Sequence, residues 1–69
     1  MSDHVYKTLE IIGTAPDGIS AAIDNAVSKA SKTLRHISWF EVEHVRGHID
    51  DDKVTHYQVS LKIGFRLED

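Results

Sequence analysis

Residues 56–67, HYQVSLKIGFRL, alternate without a break. Tyr57, Val59, Leu61, Ile63, Phe65 and Leu67 fall on one parity, and His56, Gln58, Ser60, Lys62, Gly64 and Arg66 on the other. A period of two over this length is a β-strand with one covered and one open face. Its apolar row needs a cover that the rest of the chain must supply.

The preceding run, ISWFEVEHVRGHID at 37–50, has the same period, and DDDK at 50–53 separates the two. Two alternating runs around an Asp cluster read as an antiparallel hairpin. With Asp51 and Asp52 at the tip, Phe40 faces Ile63, Val42 faces Leu61 and His44 faces Val59. This register sets Phe40 and Val42 over the core. Trp39, Glu41, Glu43, Val45 and Gly47 then share the outer face with Gly64, Lys62, Ser60, Gln58 and His56 respectively. A slip by one residue would press Glu41 and Glu43 against the apolar row, so the first register is preferred. It points Trp39 outward and puts Arg46 on the parity of Phe40 and Val42, near the open end of the hairpin, where its head reaches solvent or a neighbouring subunit.

Upstream, HVYKTLEIIG at 4–13 reads as an imperfectly two-sided strand. The alternation breaks at GTAPDGIS, where Pro16 suits a first helical turn and Thr14 with Asp17 resembles a cap, so a helix is expected to begin near Ala15. Ile19, Ala22, Ile23, Ala26, Val27, Ala30, Leu34 and Ile37 keep helical spacing, with Ser20, Asp24, Ser28, Ser31, Lys32 and Arg35 on the opposite side. Asp17 near the start and Lys32 and Arg35 near the end suit the helix dipole. The fold class is α+β, a single domain over 1–69: β-α-β-β, one long helix on a three-stranded antiparallel sheet.

The chain has 69 residues, 41% of them hydrophobic, and no cysteine. A domain of this size buries only about 60% of the surface its unfolded chain exposes. Disulfides, thiolate zinc and iron–sulfur sites are closed to it, which makes oligomerisation the natural source of further stability. A net charge of -3 argues against a nucleic-acid binder, and one outward aromatic is too few for a single-strand platform. No signal pattern, lipidation motif or apolar run of about 18 residues is present, so the expectation is a cytoplasmic protein with no membrane partner.

Trp39 opposite Gly64 makes a flat shelf for a planar group, and Gln58 on the same face offers an amide that both donates and accepts. Together they suit a heteroaromatic ring with an amide-like edge. Equally open is a structural reading, in which Trp39 is a hot spot of subunit association in an oligomerisation module. Glu41 facing Lys62 reads as a cross-strand charge pair. Among the five histidines, His44 and His48 share a strand face but stand about 13 Å apart at ordinary strand rise, too far to share an ion within a subunit. No metal site is expected, and no nucleophile, base and orienting group recur together, so the chain does not read as an enzyme.

GTAPDGISAAIDNAVSKASKTLRHISWFEVEHVRGHI followed by HYQVSLKIGFRLE resembles the dodecins, small flavin-binding proteins, over nearly the whole chain. The W-F-E-V, V-R-G-H, Y-Q-V and K-I-G-F steps carry the likeness. Ala15 departs from it, since the family often has serine before the helix proline. The resemblance implies a hollow homododecamer in which FMN or riboflavin binds as stacked pairs between tryptophans at two-fold contacts. Trp39 would carry the stacking, Gln58 the polar edge of the ring, and Arg46 the phosphate of FMN. It implies flavin storage or scavenging with quenching and photoprotection by the indole, and a coenzyme A type ligand where Lys7, Lys62 and Arg66 meet across subunits.

Overall fold

The computed structural model describes residues 3–68. The order is β1 (Tyr6–Ala15), α1 (Ile19–Ala30), β2 (Ile37–Asp50) and β3 (Lys53–Arg66), a β-α-β-β chain whose antiparallel sheet runs β1-β3-β2. The strand with the cleanest alternation is the central one. Its Val59, Leu61 and Ile63 are the largest fully buried side chains.

The strands and helix divide the chain differently from the expectation. β1 runs on to Ala15, which is buried and pairs with Tyr57, so Thr14 lies in the strand instead of capping a helix. Pro16, lacking an N–H, follows the last ladder residue, and Gly18 at φ 147 turns the chain into α1 in a backbone region few other residues tolerate. No side chain caps that N-terminus; Thr14 contributes its carbonyl, which accepts from Asn25 Nδ2 at 3.0 Å. α1 also ends early, at Ala30, leaving Lys32 and Arg35 beyond it. Leu34 and Ile37 keep the helical spacing but reach the core from a turn and from β2.

The buried seam of α1 is alanine: Ala22, Ala26 and Ala30, each one turn from the next. Small side chains let the helix lie close on β1, where a Cβ at Gly13 would strike the Ala22 carbonyl and the Ala26 methyl. Twelve helical residues span about 18 Å. The fourteen-residue strands of the hairpin run more than twice as far, so α1 covers β1 and part of β3 and leaves β2 bare.

The hairpin tip forms as read, Asp50 opposite Lys53 with Asp51 and Asp52 at φ 53 and 62. Two left-handed residues make the turn whose twist matches the strands, and aspartate accepts that conformation. Phe40 opposite Ile63 and Val42 opposite Leu61 also hold, although both phenylalanine and valine are exposed because no helix lies over them. From His44 to His48 the expected register is wrong, and at Ile49 it is restored. A bulge at Glu43 brings His44 opposite Ser60, Val45 opposite Val59, Arg46 opposite Gln58 and His48 opposite His56. The reason is hydrophobic: the slip puts Val45 beside buried Val59 and turns His44 outward, at the expense of one unpaired residue.

At the far end the chain closes on itself. His36, at φ 61, turns the chain into β2, and its Nε2 lies 3.1 Å from Glu68 Oε1, which Arg35 Nε approaches at 3.5 Å. Among the described residues no helix is long and apolar enough to cross a membrane.

Candidate functional site

The face of the sheet away from α1 gathers the expected binding residues. Trp39 on β2 stands opposite Gly64 on β3. A Cβ built at Gly64 would meet three atoms of the indole at once, so the ring lies flat over the central strand in the space that glycine leaves free. Its outer face remains open, with Trp39 41% exposed.

Tyr6 on β1 completes the seat, a residue the sequence reading did not single out. Its ring meets the indole at 5.1 Å between centroids and 61° between planes, an edge-to-face contact that fixes the tilt of the indole. Tyr6 pairs with Arg66 and Thr8 with Gly64, so Tyr6 stands on the parity that shares this face. Its place beside Trp39 depends on β1 lying next to β3, a long-range pairing that local patterns do not specify.

Arg46 and Gln58 form a second group. The bulge at Glu43 moves Arg46 from the expected parity of Phe40 to the open face, as the register partner of Gln58. Trp39, Gln58 and Arg46 therefore share one face. They do not meet within one chain: Gly64 and Gln58 are six strand residues apart, about 20 Å.

Between them sits a charged cluster. Lys62 Nζ lies 3.3 Å from Glu43 Oε2, so the lysine pairs with the bulged glutamate, whereas the alternation had led to the expectation of a pair with its register partner Glu41. Glu43 also accepts a hydrogen bond from the carboxyl of Glu10. That bond and the neighbouring carboxylate hold Glu10 above the usual carboxylate range. The same bond, with Lys62 adding to it, holds Glu43 below that range.

At the distal end His48 and His56, brought opposite by the bulge, stack with centroids 5.3 Å apart and planes within 10°. The sequence reading paired His56 with Gly47 and so missed this contact. Among the described residues no three His, Cys, Asp or Glu converge as metal ligands. Lys7 lies opposite Phe65, on the helix-side parity, whereas Lys62 and Arg66 take the other, so these three do not gather within one chain.

The sequence matches the dodecin family over residues 5–68. It is 52% identical over 65 residues to the dodecin of Thermus thermophilus, covering 94% of each chain. The structure of the dodecin from Streptomyces coelicolor superposes with a TM-score of 0.94 at 56% identity, covering 100% of this chain and 99% of that one. A T. thermophilus dodecin with a tryptophan replaced by phenylalanine gives 0.92 at 49% identity, covering 97% and 100%. With the family matched across nearly its whole length and the same β-α-β-β fold in its solved relatives, this chain belongs to the dodecins, a family of small flavin-binding proteins that form dodecamers.

Proposed function

We propose that this chain binds FMN or riboflavin on Trp39 and serves in the cytoplasm as a store or scavenger of flavin, without turnover, in a hollow shell of twelve copies. The observation that carries this is the flat indole on Gly64, open on its outer side, on the same face as the Gln58 amide and the Arg46 guanidinium. An open aromatic plane takes a tricyclic ring. An amide that donates and accepts matches the ring's polar edge, and a guanidinium matches a phosphate. The bound flavin supplies a photoexcitable ring, and an electron-rich indole in contact with it quenches that excitation.

The spacing dictates how such a site is completed. About 20 Å separates Trp39 from Arg46 and Gln58 in one chain, too far for one ring to touch both. The stacking plane of one copy therefore works with the polar group of another, which ties ligand binding to assembly. A ring held between two such surfaces has no free face for a substrate, consistent with storage and not turnover.

The test is a titration of FMN and riboflavin with purified protein, followed by flavin fluorescence beside a light-scattering mass. Saturable quenching on a particle of twelve subunits is expected. Trp39→Ala should abolish stacking but keep the particle, and Gln58→Ala should weaken binding by about 1–3 kcal/mol. If Trp39→Ala dissociates the particle and native protein takes up no flavin, Trp39 is an association hot spot and the storage reading fails.

A further inference from the structure

We propose that the hairpin tip of one copy docks into the apolar groove between β1 and the end of α1 of a second copy, a head-to-tail contact between unlike surfaces. The docking concerns which surfaces of the copies meet and does not rest on the flavin reading above.

The tip stands without support from its own chain. β1 ends at Ala15 opposite Tyr57, and α1 sets out from that end of β1, so from His48 opposite His56 outward the hairpin runs on as a bare two-stranded ribbon. Such a ribbon is marginal in water by itself. Val45, Gly47 and Ile49 alternate on β2, which puts Ile49 and its partner Val54 on the face that α1 covers further back. Both are more than half exposed. Beyond this apolar pair stand Asp50, Asp51 and Asp52 with one lysine, Lys53, so the tip is apolar on one face and net acidic at its end.

The groove lies toward the other end of the molecule. Leu9 and Ile12 on β1 and Ala30 and Leu34 around the end of α1 line a volume of about 430 Å³, and Lys29 and Lys32 border it. Neither lysine has an ion-pair partner among the described residues. Its β1 side is the free edge of the sheet, with no strand beyond. Leu9 lies opposite Ile63, nine strand residues from Val54, about 30 Å, so a chain does not fill its own groove.

Each surface supplies what the other lacks. The branched pair Ile49 and Val54 matches an apolar groove, and a net negative tip matches two unpaired lysines. An anionic amphiphile would satisfy the groove but leave the ribbon bare, whereas a second copy satisfies both. The uncovered Phe40 and Val45 lie on the same face as Ile49, so seating the tip also brings that strip against the neighbour. Because the two surfaces differ, every copy offers one of each, and such contacts close into rings when the rotation allows.

The chain has no cysteine, so introduced thiols report the contact without background. The experiment compares Val54→Cys at the tip, Thr33→Cys in the groove lining and the double variant, each first shown to keep native circular dichroism, after treatment with a short bismaleimide. Denaturing gels should show a ladder of linked subunits for the double variant and single chains for each variant alone. Linking in Val54→Cys alone would show tip against tip and overturn the docking, as would no linking in any of the three. A second measurement follows particle mass by light scattering on dilution. Lys29→Glu/Lys32→Glu should raise the subunit concentration at half dissociation by about tenfold or more, and Lys29→Arg/Lys32→Arg should leave it unchanged. Equal behaviour of the two variants, or free reaction of Thr33→Cys with a soluble maleimide in the intact particle, overturns the proposal.

Discussion

Trp39 and Gly64 are register partners, and the indole occupies the space in which a side chain at 64 would stand. Gly64→Ala therefore displaces the ring without touching the apolar row of β3. Flavin affinity should fall by about tenfold to a hundredfold, the range of a lost aromatic stack, while circular dichroism stays native. Unchanged affinity would mean that the flatness of the indole is irrelevant to the ligand.

Tyr6 holds the indole by its ring and not by a hydrogen bond, since the contact is edge to face. Tyr6→Phe should therefore bind flavin as the native chain does. Tyr6→Ala frees the tilt of Trp39 and should weaken binding by about 0.5–1.5 kcal/mol, the worth of an aromatic pair. The titration used for the native protein checks both. Equal losses in the two variants would assign the role to the hydroxyl.

Much of this site was legible in the sequence; Tyr6 was missed because its place depends on a long-range pairing, and Arg46 because of bulges. Strict alternation in β3 fixed its two faces, and with them the outward direction of Trp39 and Gln58. In β2 the apolar residues are spaced by three at two places, Ile37 to Phe40 and Val42 to Val45, and in β3 once, Val54 to Tyr57. A single irregularity separates each couple, at Ser38, Glu43 and Thr55. Odd apolar spacing inside a strand is the mark of a bulge, because only an extra residue returns both side chains to one face. Reading that mark at Glu43 would have placed Arg46 beside Gln58. Helix ends were misread because Leu34 and Ile37 pack on the core from outside the helix, where spacing alone does not distinguish them from helical residues.

The Glu10 and Glu43 carboxyls share a hydrogen bond beside Lys62, and this gives stability a definite pH course. Glu10 is raised above its usual range, so its contribution is present at low pH and is lost as pH rises through its folded value and the two carboxylates come to repel. Glu43 is lowered, so its contribution is present at neutral pH and is lost as pH falls through its own folded value. Glu10→Gln keeps a donor to Glu43 at every pH. The thermal midpoint of the variant should gain on the native chain as pH rises from 4 to 7. A gap that stays constant over this interval would show that the two carboxyls do not share a proton.

Among the described residues nothing covers the helix face of β2 from Phe40 to Ile49 within one chain. Phe40 is 48% exposed, Val45 49% and Ile49 68%, all on the side where α1 lies over the other two strands. An apolar strip of this length on a small domain points to burial against another copy. Val45→Asp adds a charge to the strip at a position already half in solvent, so one chain should fold almost unchanged. It should reduce the particle mass in light scattering and abolish flavin uptake with it, because the proposed site takes its stacking plane and its polar group from different copies. Trp39→Ala should do the reverse, keeping the mass and losing the ligand. A Val45→Asp protein that retains full mass would remove this strip from the interface. One that lost mass but still bound flavin would show that a single chain completes the site.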